Sequence, residues 1–114
     1  MILFRPVGNA ELELIRKSGY KKFPPRLPEQ PIFYPVLNER YAAEIAERWN
    51  ASSAPDCMGF VTRFEVDDEY ASKFEVRTVG RSYHQELWIP ADELDIFNSH
   101  IIGTISVIRT YSGE

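Results

Sequence analysis

Hydrophobic residues along this chain fall into short blocks, and the spacing inside each block predicts its backbone form. Alternation is clearest over residues 60–66, where Phe60, Thr62, Phe64 and Val66 share one side and Val61, Arg63 and Glu65 the other. A half-buried strand, central in its sheet, is expected there. Spacings of three and four are clearest after Asn38, where Ala42, Ile45, Ala46 and Trp49 form one stripe and Arg40, Glu44, Glu47 and Arg48 lie off it. That pattern predicts a helix capped by Asn38, packed by one face on a sheet and ended by Asn50 and the small-residue loop 51–56.

The remaining blocks are shorter. Ile2-Leu3-Phe4 reads as a strand, followed through a Pro6-Val7-Gly8 turn by a helix over 10–17 with Asn9 as its cap. Glu11 and Glu13 sit near the positive end of that helix dipole and Lys17 near the negative end, Leu12 and Ile15 supply its buried stripe, and Gly19 ends it. Residues 23–31, Phe23-Pro24-Pro25-Arg26-Leu27-Pro28-Glu29-Gln30-Pro31, hold four prolines, which forbids regular helix or central strand. They form an extended loop over the surface or along a cleft, pinned by Phe23, Ile32 and Phe33. Its Pro25-Arg26-Leu27-Pro28 piece has the form of a ligand for an aromatic-lined groove, but an internal segment between ordered elements favours the pinned loop.

Strand character resumes at 32–36, at 74–79 up to Gly80, in the run His84-Gln85-Glu86-Leu87-Trp88-Ile89-Pro90, and at 101–108. Asp67 caps a helical turn through Tyr70, and a helix over 90–98 carries acids in its first turn with Leu94 and Phe97 facing inward. The total is five or six strands and two to three helices in mixed order. We therefore expect an α+β fold with a largely antiparallel sheet. At 114 residues, 44% of them apolar, the chain suits a single domain, 1–114, with a real core.

Charge and chemistry narrow the function. A net charge of −4, with 13 scattered basic residues, offers no stripe to neutralise a phosphate backbone, so nucleic acid is not an expected partner. No segment approaches the roughly 20 apolar residues of a membrane span, and Met1-Ile2-Leu3-Phe4-Arg5-Pro6 is too short an apolar run for a signal sequence. A single cysteine, Cys57, excludes an intrachain disulfide and a cysteine-based zinc site, which fits a reduced cytoplasmic setting. Cys57 has no helix start or cationic neighbour to activate it, and reads as an incidental thiol. Asp67, Asp68 and Glu69 are consecutive instead of alternate, so they read as capping and solvation and not as a calcium loop. His100 has no partner at metal-ligand spacing.

Two charged residues stand on apolar runs, Arg5 beside Ile2-Leu3-Phe4 and Glu86 within 84–90. Together with the aromatic strand end Phe33-Tyr34, the helix Asn38, Ala42, Ile45, Ala46, Trp49, the 60–66 strand, Glu86-Leu87-Trp88-Ile89-Pro90 and an Ile-rich terminal strand, this order resembles the small bacterial proteins of the ADP-ribosyltransferase fold. The likeness spans nearly the whole chain. The proline block also resembles that of a short bacterial family labelled with an ADP-ribosylation and crystallin name, a label proper to the larger, all-helical ADP-ribosyl glycohydrolases. The transferase resemblance implies a nucleotide-sized cleft that takes NAD as substrate, with Arg5 holding its phosphates or ribose and Tyr34 and Phe33 stacking on or lining the nicotinamide pocket. It implies Glu86 as the catalytic carboxylate, and His84 as a polar contact at the cleft edge. The Ser-Thr-Ser strand motif of one transferase branch is absent, and His84 stands two before Glu86 where arginine-modifying members carry Gln or Glu.

Three readings stay open. The first is a transferase or hydrolase acting on NAD, with a small-molecule nucleotide and a protein acceptor as partners, and it requires Arg5, Tyr34 and Glu86 to share one pocket. The second is a nucleotide- or peptide-binding module without turnover. The third is an interaction domain, for which Trp88, Tyr83 or Tyr111 would cluster on the surface. Oligomeric state is not legible at this level.

Overall fold

The computed structural model describes residues 1–50 and 58–112, without the side chains of 49 and 50. Cys57, the loop 51–56 and the Trp49 side chain lie outside the described residues. In chain order the elements are β1 (Ile2–Val7), α1 (Asn9–Lys17), β2 (Ile32–Phe33), α2 (Glu39–Ile45), β3 (Met58–Val66), α3 (Asp68–Ala71), β4 (Val76–Thr78), β5 (Gln85–Leu87), β6 (Ile89–Pro90), α4 (Leu94–Ser99) and β7 (Ile101–Ser112). A π-helical turn, Ala46–Asn50, continues α2, and a 3-10 turn, Ala91–Glu93, leads into α4. The fold is α+β with antiparallel sheets and, among the described residues, four short α-helices, against an expectation of two or three. The acids after Asp67 do form their own short helix, capped by the Asp67 carboxylate on the Tyr70 N–H at 3.0 Å.

β3 is central, pairing with β1 on one edge and β7 on the other. On its far edge β1 meets a single bridging residue: Phe4 pairs with Val36, and Val36 pairs with Glu86 of β5, which carries β4 beyond it. The segments 32–37 and 85–90 run antiparallel in one register, with Ile32 opposite Pro90, Phe33 opposite Ile89 and Val36 opposite Glu86. Between those pairs the ladder breaks. The Leu87 N–H still reaches the Pro35 carbonyl at 2.9 Å, but Pro35 has no N–H to return the bond. The expected unbroken strand 84–90 is therefore two strands, β5 and β6, parted at Trp88, which lies opposite Tyr34.

Pleating sorts the side chains. Leu3, Arg5 and Val7 alternate into the buried face of β1. The main core on that face strings Phe33, Phe23, Phe64 and Phe97 together, with ring centroids 5.0 Å apart for Phe33–Phe23, 4.8 Å for Phe23–Phe64 and 6.2 Å for Phe64–Phe97. Each such side chain contributes about 1.5–3 kcal/mol by leaving water. Phe23 anchors the proline loop there, and Asn98 of α4 holds its backbone by accepting from the Phe23 N–H and donating to its carbonyl, both at 3.0 Å.

A second, smaller core of Val36, Ala42, Ala46 and Val61 lies under α2. Val61, expected on the polar side of its strand, is buried because α2 covers that face too. The small Ala42 and Ala46 let the helix sit close. Asn38 caps α2 as expected, its side chain accepting from the Tyr41 N–H at 2.8 Å. α1 instead begins at Asn9, with Gly8 at the cap position and its carbonyl accepting from Leu12 at 3.1 Å. Its far end turns through Gly19 and Tyr20, both at positive φ, so that the Tyr20 carbonyl meets the Ile105 N–H of β7 at 2.7 Å. Among the described residues no helix is long and apolar enough to cross a membrane, and no group of three or more His, Cys, Asp or Glu side chains is placed to hold a metal ion.

Candidate functional site

The break in the 32–37/85–90 ladder opens into a cleft of about 420 Å³ lined by Arg5, Pro6, Tyr34, Val36, Ile45, Glu86 and Trp88. Strand pleating explains most of this set. Glu86 and Trp88 are two apart on one run, Tyr34 and Val36 two apart on the opposing run, so all four project to the same side. Tyr34 and Trp88, each partly exposed, meet edge to face with ring centroids 6.1 Å apart. Ile45 closes the apolar wall at the point where α2 passes into its π-helical turn.

Glu86 is only 8% exposed, and both carboxylate oxygens are held. One accepts from the Tyr41 hydroxyl at 2.9 Å and the other from the Trp88 indole N–H at 2.6 Å. Each oxygen has a second lone pair, so the carboxylate can still take donors from the cleft. Burial, followed by the hydrogen bond to Glu86, pushes the Tyr41 hydroxyl up to about 12, which keeps it a donor at any ordinary pH.

Arg5 arrives from the other face of the sheet. It alternates with Leu3 and Val7, its guanidinium lies 4.5 Å from the centre of the Phe33 ring, and it is 8% exposed. Its fork grips Glu11 of α1 through Nε at 2.7 Å and Nη2 at 2.9 Å, while Nη1 donates to the Tyr34 carbonyl at 3.2 Å. Those three bonds leave about two of the five guanidinium N–H groups for anything in the cleft. Arg26 of the proline loop stands in the same charged neighbourhood. Burial first, and then the Arg5 charge, lowers its pKa, while Glu11 and Tyr34 act in the opposite sense, and its Nε donates to the Ile32 carbonyl at 3.1 Å.

The structure thus brings Arg5, Tyr34 and Glu86 to one cleft, and sets Phe33 and His84 outside its lining. Phe33 neighbours Tyr34 on its strand and so points the opposite way, into the main core, at 1% exposure. His84 lies behind Tyr41, stacked on it at 4.6 Å between ring centroids. Its Nδ1 accepts from the Arg81 N–H at 3.0 Å, which leaves Nε2 to face a Glu44 oxygen at 3.2 Å. The Tyr83 hydroxyl donates to the other Glu44 oxygen, and that bond, ahead of His84, holds the Glu44 carboxyl below the usual carboxylate range.

Sequence reasoning did not find Trp88, Tyr41 or Glu11 as site residues. Trp88 had a signal, since a residue two past Glu86 on a strand shares its face. Tyr41 and Glu11 had none, because their partners are 45 and 6 residues away on other elements. Of the aromatics considered for a surface patch, Trp88 walls the cleft, Tyr83 bonds Glu44, and Tyr111 packs on the second core. Compared with protein-family models, curated proteins and solved structures, the chain matches none.

Proposed function

We propose that the cleft receives the nicotinamide-ribose end of NAD and that Glu86 assists cleavage of its glycosidic bond, as in ADP-ribosyltransferase-like enzymes. The observation that carries this reading is the meeting of an aromatic corner, Tyr34 with Trp88, and a buried, doubly hydrogen-bonded carboxylate, Glu86, in one cleft. The volume of about 420 Å³ falls near the lower end of the usual range for ligand pockets, and suits a nucleoside-sized part of the ligand while the rest extends over the open side.

In the step proposed, the bond between ribose C1′ and the ring nitrogen breaks, and its electron pair returns to the cationic ring, which leaves as neutral nicotinamide. The ribosyl carbon becomes oxocarbenium-like. Water or an acceptor hydroxyl or amine then supplies an electron pair to that carbon and gives its proton to solvent. Glu86 accepts a ribose hydroxyl on a free lone pair and lowers the energy of the cation, an effect strengthened by its exclusion from water. Arg5 has its charge offset by Glu11, so its two spare N–H groups serve to orient the ribose or one phosphate oxygen.

The engaged fork of Arg5 also favours a second reading, a nucleotide-binding module without turnover. One titration separates the two: NAD at up to millimolar concentration, followed by nicotinamide release over hours, for the unmodified chain, Tyr34→Ala and Glu86→Gln. Binding weakened by Tyr34→Ala, with release abolished by Glu86→Gln, is the outcome expected. Binding without release supports the module, and no binding at millimolar NAD removes the catalytic reading and leaves a module for another ligand.

A further inference from the structure

We infer that Tyr41 is a positioning residue for Glu86, and that His84 and Gly80 hold Tyr41 in place; this rests on the catalytic reading of the cleft. Glu86 lies on β5, a strand of three residues bound to the rest of the sheet through the bridge at Val36. Little in so short an element fixes the direction of a carboxylate. The Tyr41 hydroxyl and the Trp88 indole fix it, one on each oxygen. Trp88 is the less firmly seated of the two, being exposed on the cleft wall with Arg77 over its ring at 4.1 Å. Tyr41 stands on a capped helix, is half buried, and is backed by a stacked imidazole.

That imidazole is itself clamped. The Arg81 N–H holds Nδ1 and Glu44 holds Nε2, so the ring cannot turn about its own axis without losing a partner. The turn that presents Arg81 has no room for a larger residue at position 80, because a Cβ on Gly80 would fall 2.4 Å from His84 Nδ1. A contact that close forces the ring to move. The chain of dependence runs from the β4–β5 turn through His84 to Tyr41, and from there to the carboxylate. None of these three groups lines the cleft, so each acts through Glu86 and not on the ligand.

Nicotinamide release by the full chain tests the inference. Tyr41→Phe keeps the ring and removes one hydrogen bond to a charged group, so kcat is expected to fall roughly 10- to 100-fold with KM within about threefold. His84→Ala and Gly80→Ala lower kcat in the same direction by less, and His84→Phe, which keeps a ring behind Tyr41, recovers most of the His84→Ala loss. A readout independent of turnover comes from ¹³C NMR of ζ-labelled tyrosine: Glu86→Gln lowers the Tyr41 titration from about 12 toward the ordinary tyrosine value. An active chain whose Tyr41→Phe variant turns over at the unmodified rate overturns this inference alone. A chain that releases no nicotinamide overturns the catalytic reading and this inference with it.

Discussion

The Arg5–Glu11 pair decides more than its exposure suggests. Arg5 is enclosed by the Phe33 ring and the Tyr34 carbonyl, whereas the Glu11 side chain keeps 21% of its exposure. Removing one partner therefore has unequal effects. Glu11→Ala leaves a guanidinium that meets water only through its cleft-facing N–H groups and costs about 3 kcal/mol in urea unfolding, near the lower end for breaking a buried pair. Arg5→Met leaves a carboxylate that can rehydrate, and costs less. A larger loss from Arg5→Met than from Glu11→Ala would contradict this account. Tyr41 gives a second residue-scale test, in pH. Its folded value, about 12, lies above the ordinary 10.0, so the folded state keeps a proton that the unfolded chain releases. The stabilisation is present in full below pH 10 and is lost as pH rises toward 12. Unfolding midpoints compared at pH 9 and pH 11 should fall, and fall less in Tyr41→Phe.

At the scale of elements, the proline loop and the broken ladder carry the cleft. The loop has no hydrogen-bonded ladder of its own; its first residue is held by the Phe23 ring in the core and the paired bonds from Asn98, and its far end by the Ala91 N–H on the Pro31 carbonyl at 2.9 Å. Asn98→Ala removes both bonds and leaves the Phe23 N–H and carbonyl buried and unpaired, so a loss of about 2 kcal/mol is expected. Limited proteolysis should then cut within 24–31, and unchanged protection of that segment would show that the Phe23 ring and the bonds at Arg26 and Pro31 hold it without Asn98. Element types were largely legible from periodicity: the Asn38 and Asp67 caps, the 60–66 alternation and the inward Leu94 and Phe97 follow from local rules. The break at Trp88 was not legible, because its cause, the missing N–H of Pro35, acts from the opposing strand. Val61 was misplaced for the same kind of reason, since burial of the second sheet face depends on where α2 lands.

At the scale of the molecule, β7 is a twelve-residue strand at the end of its sheet, with a strand neighbour on one side only among the described residues. Ile102, Val107 and Ile108 are exposed along it, and the Tyr20 carbonyl covers one N–H, that of Ile105. An exposed apolar edge invites pairing with another chain. Ile102→Lys should raise the concentration at which the protein aggregates while shifting unfolding by no more than about 0.5 kcal/mol, the usual range for surface changes. Light scattering against concentration checks it.

What the sequence by itself determined was local. Periodicity, caps and prolines specify helices, strands and the loop, because each depends on groups within a few residues. The α+β class follows from their order. The tertiary structure alone decided which charged residues meet. Arg5 and Glu86 reach one cleft from opposite faces of a sheet, and Phe33 and His84 lie outside its lining. Strand pleating turns neighbours such as Phe33 and Tyr34 in opposite directions, and a single unpaired proline sets where the ladder opens.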